Sequence, residues 1–166
     1  MKGLLDAKSI AVTKDDFGIG TELAALLQER GINATVVDGI KESHDGVIFL
    51  GGLSKSKSID ALLAVNQSAF EAAKLVAKRL TESGGIFVTV QSTGGQFGLS
   101  GIEKSWTGGL PGLVKTASHE WPKASLKAID IEGIKKRKAR EIAEALRNEL
   151  CSGGSEIEVG LRADGN

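Results

Sequence analysis

Short runs of apolar, often β-branched residues alternate along this chain with longer stretches whose apolar positions recur every three or four residues, so strands and helices are predicted to alternate. Ser9–Thr13 predicts a short buried strand, and Leu23, Leu26 and Leu27 predict a helix over Gly18–Arg30 that Gly31 ends. Asn33–Asp38 predicts a second strand. Only Ile40–Asp45 separates it from a third, Gly46–Leu50, which leaves no room for a helix and a strand between them. Past Gly51 and Gly52, the positions Ile59, Leu62, Phe70, Ala73, Val76 and Leu80 predict a long helix over Ser58–Leu80 whose apolar face packs on a sheet. Gly84 and Gly85 break the chain ahead of Ile86–Gln91, a run apolar enough to be buried on both faces and so the middle of the sheet. A glycine-rich loop, Ser92–Ser105, leads to a helix that starts near Trp106 and stops by Pro122. Leu126–Ile131 is the next strand, Ile142, Ala145, Leu146 and Leu150 mark the next helix, and Glu156–Leu161 is a last short strand.

This alternation predicts an α/β fold: a doubly wound, Rossmann-like parallel sheet of about six strands with helices on both faces, truncated by one βα unit. At 166 residues the chain fits one domain, 1–161, with 162–166 read as the start of a linker to a following domain. Lys plus Arg and Asp plus Glu number 21 each, so net charge gives no argument for nucleic acid or an anionic membrane. The basic run Lys135–Arg140 leads into a helical pattern and reads as a solvated helix face. No run approaches the roughly 18 apolar residues of a membrane span, and no signal-like segment opens the chain, which points to the cytoplasm. Cys151 has no partner for an internal disulfide and falls where a half-buried hydrophobe is expected. His44 and His119 lie on different elements without ligand-spaced neighbours, so no metal site is expected.

The chemistry turns on Ser9–Gly20. A strand, a turn and a helix start of this kind open a Rossmann βα unit, where glycines let the backbone approach a pyrophosphate held on the positive end of the helix. Here only Gly18 and Gly20 remain, and Lys14, Asp15, Asp16 and Phe17 stand where small residues would admit a dinucleotide. Two carboxylates repel a diphosphate. The turn is therefore expected to be closed, with side chains in the pyrophosphate path and the helix end satisfied locally. Asp38 stands about 20 residues beyond the glycine turn, where dinucleotide enzymes place a ribose ligand, but ahead of Gly39 it reads first as a turn-forming aspartate.

Four stretches carry a family likeness: the turn ending Gly18-Ile19-Gly20, Val65-Asn66 in the long helix, Gln91-Ser92-Thr93-Gly94-Gly95 after the central strand, and Gly109-Leu110-Pro111-Gly112-Leu113-Val114-Lys115-Thr116 running to Glu120-Trp121-Pro122. Through them nearly the whole chain resembles the short-chain dehydrogenase/reductase superfamily, and within it the ketoreductase region of modular polyketide synthases and polyunsaturated fatty acid synthases. In that superfamily a serine, a tyrosine, a lysine four residues later and a helix asparagine act on the substrate carbonyl and the cofactor ribose. The resemblance puts Asn66 at the asparagine, Ser92 at the serine, Trp106 at or near the tyrosine and Leu110 at the lysine. An indole N–H is no useful acid and leucine has no charge, and the chain contains no tyrosine at all. The four positions are thus vestigial, and no catalytic residue is expected. Each has a structural reading: Ser92 satisfying backbone groups at the start of the loop, Asn66 bonding a main-chain group in the helix packing, Trp106 opening a helix and covering an apolar rim.

In these synthases the ketoreductase is commonly split into an inactive, Rossmann-like structural half and a catalytic half. The chain resembles the structural half in its truncation, its degenerate turn and its missing tyrosine. The resemblance implies a non-catalytic subdomain that supports the catalytic ketoreductase half of the same polypeptide. It puts NADP in that half and none in this segment, makes acyl carrier protein an indirect partner, and makes the parent a β-ketoacyl reductase within a fatty acid or polyketide synthase. Trp106, Leu110 and Trp121 are candidates for the face the partner covers, with burial in the domain's own core as the alternative. An isolated segment would then self-associate there as a homo-oligomer. Two other readings stay open. One is an NAD(P)-dependent short-chain reductase acting on a 3-oxoacyl substrate, with Thr13, Gly18, Ile19, Gly20 and Asp38 holding the cofactor. The other is a nucleotide or small-ligand binding module using the crevice at the carboxyl ends of the strands.

Overall fold

The computed structural model describes residues 1–99 and 105–163. Strands β1 (Ile10–Thr13), β2 (Ala34–Val37), β3 (Gly46–Gly52), β4 (Gly85–Gln91), β5 (Ala124–Ile131) and β6 (Glu158–Leu161) alternate with helices α1 (Ile19–Gln28), α2 (Ile59–Ser83), α3 (Gly109–Glu120) and α4 (Ala139–Ser152). Two 3-10 turns, Ser105–Gly108 and Ile134–Lys136, precede α3 and α4. All neighbouring strands are parallel, in the order β2-β1-β3-β4-β5-β6. The β2–β3 connection carries no helix, which leaves β2 as an edge and makes this a doubly wound sheet short of one βα unit.

Because successive strand residues point to opposite faces, each inner strand feeds two cores. Ile48 and Leu50 of β3, Ile86, Val88 and Val90 of β4, and Ile129 and Ile131 of β5 join Leu23, Leu26 and Leu27 of α1 and Ile142 and Leu146 of α4. Val47, Phe49, Phe87, Leu126 and Ala128 point the other way, to Ala69, Ala73 and Val76 of α2 and Val114 of α3. Cys151 is half-buried against the first core, as a small hydrophobe. Past α1, Gly31 takes φ +75 and donates to the Gln28 carbonyl while the Ile32 N–H returns to Leu27, a left-handed cap that only glycine enters without strain. Among the described residues no helix is long and apolar enough to cross a membrane.

Several expectations are corrected here. Ile59 and Phe70 are not on the packed face of α2; they are 50% and 54% exposed. The seam that meets the sheet runs through Leu62, Ala69, Ala72, Ala73, Val76 and Leu80, and Phe70, one residue past Ala69, is rotated about 100° away from it. Leu110 and Trp121 are buried in the domain's own core, Trp121 meeting Phe87 edge to face at 5.7 Å, so neither offers surface to a partner. Trp106 lies in the 3-10 turn ahead of α3, not in the helix itself, and is 49% exposed. β6 begins at Glu158, two residues later than the apolar pattern suggests. The Ser100–Lys104 part of the loop and the Asp164–Asn166 part of the tail lie outside the described residues.

Candidate functional site

The strand order changes direction between β1 and β3, and such a switch opens a crevice at the carboxyl ends of the strands. The β1–α1 turn forms one wall of it. Asp15 folds over the first turn of α1: one carboxylate oxygen accepts the N–H groups of Phe17 at 2.7 Å and Ile19 at 3.2 Å, and the other accepts Gly20 N–H at 2.7 Å. A helix start offers orphan donors and the positive end of its dipole, and here the chain's own carboxylate takes that place. Asp16 turns across the crevice instead, accepting from Lys55 N–H at 2.7 Å and from the Ser54 hydroxyl at 3.3 Å. The Lys55 ammonium lies 4.8 Å from the centre of the half-buried Phe17 ring.

The candidate cofactor ligands are placed accordingly. The amides of Ile19 and Gly20 are engaged by Asp15. A Cβ on Gly20 would stand 2.9 Å from the Thr13 carbonyl, so this glycine serves close packing of helix on strand. Gly18 turns the chain at φ +78. The Thr13 hydroxyl accepts Leu50 N–H at 2.7 Å and ties β1 to β3. Asp38 forms an ion pair with Lys14 at 2.5 Å, and with both side chains mostly exposed this pair contributes little stability. Beside this turn an apolar cleft of about 490 Å³ remains between the ends of β1 and β2 and the flank of α2, with Phe49, Val65 and Leu75 in its walls and Lys14 and Asp38 at its rim.

At the end of β4 the serine position is not the anchor of the loop. Thr93 is, one residue later. Its N–H and hydroxyl donate to Asp130 of β5 at 2.6 and 2.9 Å, and Phe97 N–H donates to the same carboxylate at 2.7 Å. Gln91 donates to the Thr93 hydroxyl at 3.2 Å. Asp130 is fully buried, and Phe97 adopts φ +52 as the loop folds back. The loop passes so close to β6 that a Cβ on Gly160 would lie 2.1 Å from the Gly95 carbonyl. The signal for this anchor lies in the sequence: Asp130 is an acid inside the otherwise apolar end of the run Leu126–Ile131.

Asn66 behaves as a packing residue, donating to the carbonyls of Leu62 at 3.1 Å and Trp106 at 2.5 Å. It joins α2 to the 3-10 turn, whereas Leu110 sits in the core. The structure thus links Asn66 to the Trp106 backbone. His44 is buried, and its Nδ1 accepts Lys41 N–H at 2.9 Å. Burial foremost, then the Lys41 charge, holds its pKa below the ordinary 6.5. Among the described residues no cluster of His, Cys, Asp or Glu is arranged to hold a metal ion.

No protein-family model and no curated protein matches the chain. Solved structures do match. The chain is similar to an acetoin dehydrogenase from Enterobacter cloacae at 17% identity, over 96% of this chain and 98% of that one, with TM-score 0.69. It is also similar to an alcohol dehydrogenase from the archaeon Thermococcus sibiricus, complexed with 5-hydroxy-NADP, at 16% identity over 93% and 95% of the two chains, TM-score 0.60. A third likeness is to a structure with adenylation, ketoreductase and pseudo-Asub domains from a keto acid-selecting NRPS module: 14% identity, TM-score 0.68, over 93% of this chain. This chain spans 16% of that multidomain one. What it shares with all three is architecture: the chain has the short-chain dehydrogenase/reductase fold, truncated by one βα unit.

Proposed function

We propose that this chain is a non-catalytic structural subdomain of a ketoreductase within a cytoplasmic fatty acid or polyketide synthase, and that it supports the catalytic half. NADP and the acyl-carrier-borne 3-oxoacyl substrate belong to that half. The observation that carries this reading is the Asp15 carboxylate on the first turn of α1. A dinucleotide phosphate uses these same amides. To bind, it would have to displace bonds to a charged group worth about 1.5–3 kcal/mol each and then sit beside the carboxylate it expelled. The missing acid supports the reading too, since reduction of a carbonyl needs a proton for the developing alkoxide and the chain has no tyrosine. The likeness to a ketoreductase-containing multidomain chain supports the setting.

Calorimetric titration of the chain with NADPH and NADH tests this directly. The expected result is no saturable binding of either; micromolar affinity for one of them overturns the proposal. The apolar cleft beside the turn favours a second reading, a binding module for a small ligand without phosphate. In that case the dinucleotides still fail and a phosphate-free ligand saturates.

A further inference from the structure

The segment joining β5 to α4 carries Lys135, Lys136, Arg137 and Lys138, and Arg140 follows in the first turn of α4. Arg140 pairs with Glu22, Glu29 and Glu144. Arg137 differs: its Nη1 is fully buried and has no hydrogen-bond partner among the described residues. Burying a cationic N–H without an acceptor is costly, because water's acceptors are lost and nothing replaces them. Arg137 lines a cleft of about 390 Å³ between α4, which contributes Asn148 and Ser152, and the end of β6, where Arg162 stands.

Among the described residues, the carboxylates close to this cleft already have partners. Glu149, on its wall, pairs with the buried Lys127 ammonium, and Glu132 accepts Ala163 N–H at 2.9 Å. Arg147 donates to Oδ1 of Asn148 at 2.8 Å, which occupies that side chain's carbonyl and not its N–H donors. The cleft is therefore lined by two arginines, Asn148 and Ser152, with Glu149 as a wall carboxylate that Lys127 already neutralises.

We propose that it binds a phosphate dianion, inorganic or as a small phosphomonoester. Arg137 supplies the fork that matches two phosphate oxygens, and Arg162 closes from the β6 side. The dianion is preferred to a monoanionic carboxylate because two arginines present two positive charges while Glu149 is already neutralised by Lys127. The β1–α1 turn is separated from this site by β3, β4 and β5, so the proposal does not depend on the fate of the dinucleotide crevice.

Inorganic phosphate is the probe, at constant ionic strength, with sodium acetate as the carboxylate control and the arginine Nε–H signals followed by NMR. Phosphate is expected to shift the Arg137 signal saturably, and acetate to act at least about tenfold more weakly. Read at the Arg162 signal, which the Arg137 variants retain, the phosphate response is expected to be abolished by Arg137→Gln, and read at the Arg137 signal it is expected to be weakened about threefold by Arg162→Gln. Arg137→Gln removes packing as well as charge. Arg137→Lys, which keeps the stem and the charge but loses the fork, is therefore expected to weaken binding about tenfold while unfolding like the parent. No saturable shift in the unmodified chain, an equal response to acetate, or an undiminished response in Arg137→Lys overturns the proposal.

Discussion

Asp15 puts on the first amides of α1 the negative charge that a bound phosphate brings to an open turn of this type. Asp15→Ala is expected to lower unfolding free energy by about 1–2 kcal/mol, because it removes both a cap and a charge favourable to the dipole. Asp16→Ala, at an exposed position, is expected to cost less than about 1 kcal/mol. Urea denaturation of the two variants measures the difference, and equal losses would refute the special place of Asp15. Asp15→Gly, and not a change at Lys14 or Asp16, is the substitution that vacates the helix end; reduction of a 3-oxoacyl thioester with NADPH should still be absent. His44 gives a pH dependence with a definite sign. Its folded pKa is depressed, so the unfolded chain takes up the proton first, and stability should fall as pH drops through about 6.5, levelling off below the folded pKa. His44→Asn, which can still accept Lys41 N–H, should flatten the urea midpoint between about pH 7 and 5. An unchanged slope would assign the dependence to other groups.

At the scale of elements, the loop after β4 depends on a strand neighbour and not on its own serine. Asp130→Ala leaves the N–H groups of Thr93 and Phe97 and the Thr93 hydroxyl without their acceptor, at a cost of about 1–3 kcal/mol for each group left buried and unpaired. Faster amide exchange over residues 93–97 is the expected sign, whereas Ser92→Ala should stay within about 0.5 kcal/mol of the parent. Equal exchange in the two variants would return the anchor to Ser92. The contrast shows what was legible in the sequence. Each predicted strand and helix is present, with ends displaced by a few residues at β6 and α3, because burial of one face enforces its period. The missing βα unit shows as a short β2–β3 connection, and the closed turn shows as bulk where glycine is needed. Which acid closes it was not legible, since Asp15 reaches Ile19 and Gly20 only through the path of the turn. Nor was the Thr93–Asp130 contact, formed across 37 residues by the pairing of β4 with β5. The packed side of α2 is not legible at Ile59 and Phe70, because alanines, weak in hydropathy, form the seam.

At the scale of the whole molecule, the two cores account for most of the apolar side chains, and the exceptions concentrate on α2. Ile59, Leu63 and Phe70 are about half exposed and, at 100° per residue, lie within about 40° of one another and about a quarter turn from the buried seam. Under the proposed function, such a stripe is the candidate for a surface that a partner covers. With Leu110 and Trp121 buried and Trp106 still half exposed, we propose that this stripe, with Trp106, is the face that the proposed catalytic half would meet and through which the isolated chain would pair with itself. The test is to express this chain and a catalytic ketoreductase half separately and mix them. A stable complex is expected, with slower exchange along α2 in the mixture. Phe70→Glu and Leu63→Glu should each weaken that complex at least about tenfold while leaving the unfolding midpoint of the chain close to the parent's, since both side chains are already exposed. Sedimentation of the chain alone separates the other occupant: self-association that the same variants abolish, with no complex in the mixture, would make α2 a homodimer surface. If the catalytic half is as soluble, as stable and as active alone as in the mixture, and nothing elutes with it, this domain is no structural subunit, and the apolar cleft between α2 and the end of β1 becomes the first place to look for its function.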